Sequence, residues 1–300
     1  MKRVIGAVAA ASLLPALSGC GALTDSGKTG IEVEAAFYPY AYVAQRVVGS
    51  HATVTNLTTP GLEPHDLELT PRQVADLSVA DLVIYEKGFQ PSVDQAVEQN
   101  ASGDTLDVTS VVPLQNTGAP DETGTNLAGD PHIWLDPTLL VKVTDKIAAE
   151  MVQIDPKHAA DYRRNAEALD ADLTRLDAEF KQGLSSCQRT AFVTSHAAFG
   201  YLAERYGLTM IPIAGLSPDV EPSPQHIAQI QDLIKSDGIT TVFSEVLGSK
   251  KYADTLAGDL GITAAVLDPI EGLTSSDPDA TYLSLMRQNL TALEKANGCS

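Results

Sequence analysis

The chain has 300 residues, with 39 aspartates and glutamates against 20 lysines and arginines, so its formal net charge is −19 at pH 7. A chain this acidic repels phosphate, which argues against nucleic acid as a partner. The length suffices for two medium-sized lobes that each bury a core of their own.

The amino terminus has the parts of a secretory signal peptide. Met1-Lys2-Arg3 is basic, residues 4–17 are apolar, and Leu17-Ser18-Gly19-Cys20 closes the segment. The apolar run is shorter than the ~20 residues that span a bilayer. A cysteine after Leu-Ser-Gly resembles the bacterial lipobox, which implies cleavage before Cys20 and attachment of lipid to its sulfur. An ordinary signal peptide with an incidental cysteine is the alternative. We expect a signal peptide over 1–19 and a lipoprotein anchored to the cell membrane, outside the cytoplasm, by a flexible tether over 20–30.

Apolar β-branched runs alternate with helical patterns along the rest of the chain, which is typical of parallel sheets with crossover helices. The sequence therefore predicts an α/β fold with two lobes, the first over 31–154 and the second over 186–300. The predicted strands are Ile31–Phe37, Thr53–Leu57, Leu82–Tyr85, Thr105–Val108, Thr190–Thr194, Thr209–Ile213, Thr240–Phe243 and Thr263–Leu267.

The segment between these halves differs from both, because it has no strand pattern and no interior glycine or proline before Gly183. Apolar residues recur at spacings of three and four, which predicts one long amphipathic helix. We expect a rigid interlobe helix over 155–185, with a coiled-coil helix as the alternative. The stretch 114–129 is rich in glycine, threonine and asparagine and predicts a surface loop.

Two cysteines remain once Cys20 is assigned to lipid. In an oxidising compartment Cys187 and Cys299 favour a disulfide, although two free buried thiols are also compatible with the sequence.

Four side chains that can bind a metal lie in loops or at predicted strand ends, two in each half: His65, His132, His196 and Asp268. Ligands of open α/β sheets bind outside the carboxyl ends of the strands. Three imidazoles and a carboxylate can complete a tetrahedral zinc site. The wide spacing of these residues is weak support by itself, because isolated histidines are often ordinary surface residues. Glu245 could orient one ligating imidazole through its other nitrogen.

Several segments in order make the chain resemble the metal-binding receptors of bacterial zinc and manganese ABC importers, the ZnuA/TroA-like (cluster A-I) solute-binding proteins. The matching segments are Phe37–Tyr40, Gly61–Pro71, Ala80–Ile84, Asp130–Pro137, Thr194–Leu202 and Leu267–Pro269.

The resemblance implies two lobes joined by one long helix, a metal bound by His65, His132, His196 and Asp268, and delivery to a membrane permease by a monomer that is not an enzyme. Manganese-preferring relatives have a carboxylate where this chain has His196, and nitrogen-rich sites suit zinc, so we expect Zn²⁺ as the transported ion. Many zinc members carry a histidine-rich loop before the second ligand, but residues 114–129 contain no histidine.

Three other functions compete with a zinc receptor. A manganese receptor of the same family would favour a second carboxylate at the position that His196 occupies. A zinc hydrolase would need an open coordination position and a general base, and the sequence has no His-Glu-x-x-His helix. In a surface adhesion protein the metal would be structural, and the protein would unfold without it.

Overall fold

The computed structural model describes residues 30–117, 129–277 and 279–300. The predicted signal peptide, Cys20 and the tether up to residue 29 lie outside the described residues, as does most of the predicted 114–129 loop. Within the described ranges, no helix is long and apolar enough to cross a membrane.

Two four-stranded parallel sheets form the framework, with the strand orders β2-β1-β3-β4 and β6-β5-β7-β8. The order is the same in both halves, and the α/β prediction is confirmed. Each predicted strand overlaps an observed one. The strands are β1 Ile31–Ala35, β2 Ala52–Asn56, β3 Leu82–Tyr85, β4 Asp104–Asp107, β5 Ala191–Thr194, β6 Thr209–Pro212, β7 Thr241–Ser244 and β8 Thr263–Val266.

Helices connect successive strands and cover the sheets. Several begin with proline in the first turn, where a backbone N–H would have no carbonyl partner within the helix, so that proline removes no hydrogen bond. Asp136 caps α4 by accepting a hydrogen bond from the Thr138 N–H at 2.8 Å. The helices are α1 Tyr38–Val48, α2 Pro71–Leu77, α3 Pro91–Asn100, α4 Pro137–Ile154, α5 Ala159–Gly183, α6 Gly200–Tyr206, α7 Pro224–Ser236, α8 Lys251–Leu260 and α9 Tyr282–Asn297.

Helix α5 connects the two sheets in sequence and follows a short 3₁₀ turn, Pro156–His158. Its 25 residues correspond to about 37 Å of helix. The helix packs against α1 and α4 of the first half and against α9 of the second. These contacts bury the apolar stripe that predicted the helix: Tyr162, Ala166, Leu169, Leu173, Leu176 and Phe180.

The predicted disulfide is confirmed, since Cys187 is bonded to Cys299. Backbone hydrogen bonds flank it, from the Gln188 N–H to the Gly298 carbonyl and from the Ser300 N–H to the Ser186 carbonyl. The end of the chain is thereby attached to the segment just before β5.

Several hydrogen bonds join the two halves beside the strand ends. The Trp134 indole donates to the Pro269 carbonyl at 2.7 Å, and the Tyr282 hydroxyl donates to the Trp134 carbonyl at 2.6 Å. The Gly61 N–H donates to the Leu273 carbonyl at 2.8 Å. Trp134 is completely buried at this junction. The loops after β2 and β8 are therefore held against each other.

Candidate metal centre

Three histidines and one glutamate meet between the two sheets. His65 lies in the 3₁₀ turn Pro64–Asp66 after β2, and His132 directly precedes the turn Ile133–Leu135. His196 follows the end of β5 by two residues, and Glu271 lies in the loop after β8. One ligand atom from each of the four residues lies within 4.8 Å of the others. The two halves contribute two side chains each: His65, His196 and Glu271 lie in loops that follow strands, and His132 lies just before α4.

Among the described residues the fourth member of this cluster is Glu271, whereas the sequence analysis expected Asp268 as the fourth ligand. The Asp268 Oδ1 atom instead accepts the Ile270 N–H at 2.8 Å. The backbone turns at Ile270, which has a φ of +58°, and Glu271 follows this turn. The longer glutamate side chain reaches the three imidazoles, with its Oε1 3.4 Å from His65 Nε2.

A buried carboxylate orients the His132 ring. The Asp130 Oδ1 atom lies 2.7 Å from His132 Nδ1 and also accepts the His132 backbone N–H at 2.9 Å. Because a carboxylate only accepts, Nδ1 carries the hydrogen and Nε2 is the atom available to an ion. Asp130 is itself fixed by the Thr117 hydroxyl, 2.5 Å from its Oδ2, and by the Tyr201 hydroxyl, which donates to its carbonyl at 2.9 Å.

Glu245 has the same relation to His196. Its Oε1 lies 2.6 Å from His196 Nδ1 and accepts the His196 backbone N–H at 3.2 Å. The structure thus places Glu245 where the sequence analysis expected an orienting group. Both rings are completely buried. Their Nε2 atoms point toward each other and toward Glu271 Oε1, which is 3.2 Å from His132 and 3.4 Å from His196.

His65 is held more loosely than the other two rings. Its side chain is 8 % exposed, and the edge-on Phe89 ring packs beside it with 4.6 Å between ring centroids. Among the described residues, its Nε2 has no hydrogen-bond partner. Glu63 accepts the His65 backbone N–H at 3.5 Å and so fixes the turn but not the ring.

The charges in the cluster oppose one another across short distances. Burial raises the pKa of Glu271, but the three surrounding imidazoles outweigh it and hold the pKa well below its usual value. Burial alone would lower the pKa of His132, but Asp130 and Glu271 together raise it to about 9. Glu245 and Glu271 likewise overcome burial and raise the pKa of His196. Burial lowers the pKa of His65. The raised pKa values of His132 and His196 therefore favour protonated imidazoles beside Glu271 when no metal is bound.

The donor set fits a Zn²⁺ ion. Buried polar groups normally form hydrogen bonds, yet among the described residues His65 Nε2 and Glu271 Oε1 make only ion-pair contacts of 3.2–3.4 Å and no hydrogen bond. Both atoms face the space between the four side chains. Three imidazole nitrogens and one carboxylate oxygen are ligands that zinc takes in tetrahedral sites. A divalent cation at this position would bind both of these atoms and take the place of protons on the imidazoles.

Sequence reasoning named the three histidines and Glu245 but missed two acidic groups. Asp130 lies two residues before His132, and this proximity could have suggested that it orients the ring. Glu271 lies three residues after Asp268 in the same loop, so a sequence signal existed for either residue. The choice between them depends on the backbone at Ile270.

Proteins of similar sequence are described as zinc-uptake or zinc-binding proteins, in agreement with a metal centre. The sequence profile of the family described as zinc-uptake complex component A, periplasmic, matches residues 33–296. The chain is 33 % identical over 302 residues to the high-affinity zinc uptake system protein ZnuA of Bacillus subtilis, covering 96 % of this chain and 95 % of that protein. It is also 33 % identical to the zinc-binding lipoprotein AdcA of Streptococcus pneumoniae, but spans only 55 % of that longer protein.

Solved structures share the fold. The Zn(II)-bound ZnuA-like domain of Streptococcus pneumoniae AdcA superposes with a TM-score of 0.76 at 32 % identity, over 89 % of this chain and 99 % of that one. The laminin-binding protein Lmb of Streptococcus agalactiae superposes with a TM-score of 0.79 at 30 % identity, over 89 % of this chain and 99 % of that one. Lmb is described as bifunctional, with adhesin and metal-transporting activity. With its two parallel sheets and its cluster of three histidines and a glutamate, this chain belongs to the ZnuA family of periplasmic zinc-uptake components.

Proposed function

We propose that this protein is an extracytoplasmic receptor that captures Zn²⁺ and delivers it to the permease of an ABC importer. The observation that carries the proposal is the convergence of His65, His132, His196 and Glu271 within 4.8 Å of one another between the two sheets. Zinc is the cargo in this proposal, and it binds at the edge of both lobes, where a small separation releases it.

The choice of zinc over manganese rests on the donor atoms. Nitrogen ligands suit zinc, whereas manganese prefers oxygen ligands and a higher coordination number. His196 supplies a nitrogen at the position where a manganese site would have a second carboxylate. The names of the ZnuA and AdcA relatives, both zinc proteins, point to the same metal.

The protein is proposed to bind and release its ion without catalysing a reaction. Four protein ligands complete a tetrahedral sphere, which leaves no position for the metal-bound water that a zinc hydrolase needs. The proposal also includes a monomeric state and a lipid anchor on Cys20, which would keep the receptor close to its permease. Replacement of Cys20 by alanine should release the protein from the membrane fraction.

The test is a zinc titration of the purified, chelator-stripped protein, with circular dichroism before and after. We expect one tightly bound zinc per chain, a folded zinc-free state, and little displacement by manganese. Replacing His65, His132, His196 or Glu271 by alanine should weaken zinc binding at least ~10-fold without unfolding the protein. Glu68→Gln is the matched control, because Glu68 is an exposed acid in the same loop as His65.

Two results would contradict the proposal. Unchanged zinc affinity in all four alanine variants would eliminate this ligand set. A protein that folds only when zinc is present would indicate a structural metal, as expected for an adhesion protein, and not a transported one.

A further inference from the structure

The loop after β8 contains the only non-glycine residue with a positive φ in the described part of the chain, Ile270 at +58°. Left-handed backbone is costly for a β-branched residue, whose second γ-carbon crowds the main chain. Such strain persists only where neighbouring contacts impose it, and it concentrates at functional sites. Ile270 is completely buried and directly precedes Glu271.

The contacts that impose this conformation converge on Asp268. Its Oδ1 accepts the Ile270 N–H at 2.8 Å. Asn289 of α9 holds Asp268 from the other side: its Oδ1 accepts the Asp268 N–H at 2.8 Å, and its Nδ2 donates to the Asp268 carbonyl at 2.6 Å. The Trp134 indole donates to the carbonyl of Pro269, so this residue, which lies between Asp268 and Ile270, is fixed as well.

We propose that Asp268 is a positioning residue for zinc binding, which fixes the strained backbone of Ile270 and thereby aims the Glu271 carboxylate at the three imidazoles. The inference depends on the proposed role of Glu271 as a ligand. It gives Asp268 a function that is separate from coordination, through its bond to a backbone N–H.

The hydrogen bond from the Ile270 N–H to Asp268 matters because the position of Glu271 depends on it. Glu271 Oε1 lies 3.2–3.4 Å from one nitrogen of each histidine, so a shift of about an ångström would take it out of reach of an ion held by all three. If the Ile270 N–H lost its acceptor, the residue would relax toward an ordinary right-handed or extended conformation. The Cα–Cβ direction of Glu271 would turn with it, and the carboxylate would leave the cluster.

The first test compares two substitutions at the same position. Asp268→Asn keeps an oxygen acceptor for the Ile270 N–H, whereas Asp268→Ala removes it. We expect Asp268→Ala to weaken zinc binding ~10-fold to 100-fold and Asp268→Asn to stay within ~3-fold of the unchanged protein. Equal losses in the two variants would overturn the positioning role, because a ligand or a required charge is lost in both.

The second test is a double-mutant cycle with Ile270→Gly, since glycine adopts positive φ without strain. In the Ile270→Gly background, adding Asp268→Ala should change zinc affinity by less than ~3-fold, because the turn no longer depends on the acceptor. An undiminished loss in that background would show that Asp268 acts by another route. Circular dichroism restricts the comparison to folded variants, and the Asp268→Asn comparison stands if the glycine variant does not fold.

Co²⁺ absorption supplies a readout that a role in folding alone would not change. Cobalt in place of zinc reports ligand number and geometry, so Asp268→Ala should shift the spectrum in the same way as Glu271→Ala. A cobalt spectrum unchanged by Asp268→Ala would contradict the inference. Unchanged zinc affinity in Glu271→Ala would instead remove Glu271 from the ligand set, and the positioning role with it.

Discussion

The Nε2 atoms of His132 and His196 lie 3.3 Å apart, although the two residues are separated by 64 positions in the sequence. Each ring is fixed by a buried carboxylate on its Nδ1 side, so neither can rotate away without losing that bond. Two nitrogen lone pairs at this distance repel unless a positive charge lies between them. The raised pKa values of both rings favour a proton at this position, and the proposed Zn²⁺ ion would supply the charge instead.

Zinc affinity should therefore rise with pH between about 6 and 9. The pKa of His132 is raised to about 9, so at neutral pH its ring carries a proton that zinc must displace. Each displaced proton makes apparent affinity rise by up to ~10-fold per pH unit below the pKa. Calorimetry in buffers of different ionisation enthalpy should show proton release at pH 7. Asp130→Asn should reduce that release, and an affinity independent of pH would contradict the prediction.

The carboxylates that orient the rings should matter almost as much as the rings. Asp130→Asn and Glu245→Gln preserve shape but replace a carboxylate oxygen by an amide, so the Nδ1 hydrogen is held less firmly and Nε2 becomes a weaker metal ligand. We expect zinc affinity to fall ~10-fold to 100-fold in each, measured by competition with a fluorescent chelator. Glu68→Gln removes the same charge from an exposed position and should have no effect. A similar loss in that control would indicate a general effect of net charge.

The zinc-free protein should lose stability as pH rises from 5 to 8.5. Burial raises the pKa of Asp268 to about 7 and that of Glu86 to about 8. A group whose pKa is higher in the folded than in the unfolded state stabilises the protein fully at pH values below its unfolded-state pKa. This contribution is lost as the pH rises through the folded-state pKa. Thermal unfolding in chelator should show a lower midpoint at pH 8.5 than at pH 5. With zinc in excess the trend should weaken or reverse, because tighter binding stabilises the native state. A midpoint that rises with pH in chelator would refute this account.

Reduction of the disulfide should destabilise the second half. Cys187 and Cys299 close a loop with a sequence separation of 112, for which the chain-entropy model gives at most ~4–5 kcal/mol. Urea unfolding with and without reductant measures the loss, and the Cys187→Ser/Cys299→Ser double variant should match the reduced protein. Equal midpoints under both conditions would show that the native contacts of α9 already hold the chain end.

Local patterns were sufficient to predict the framework. β-branched apolar runs predicted each strand to within a few residues, and the apolar stripe from Tyr162 to Phe180 predicted α5. These three histidines could be chosen because they lie in segments that resemble the ZnuA/TroA-like receptors, since their wide spacing was weak support by itself. Glu271 could not be chosen over Asp268 from the sequence, because Asp268 and Pro269, which precede Ile270, are held by Asn289 and Trp134, and both of these lie far away in the chain. The order of the strands within each sheet likewise depends on contacts that no local pattern reveals.

The division of the cluster between the two halves has a mechanical consequence. Each half contributes two of the four clustered side chains, His65 and His132 from one and His196 and Glu271 from the other. In the proposed function the ion would join the two halves, and either half alone would offer it only two ligands. A separation of the halves by about the length of one coordination bond would therefore halve the number of ligands. Release would then need only a small movement of one half relative to the other, with no chemical step.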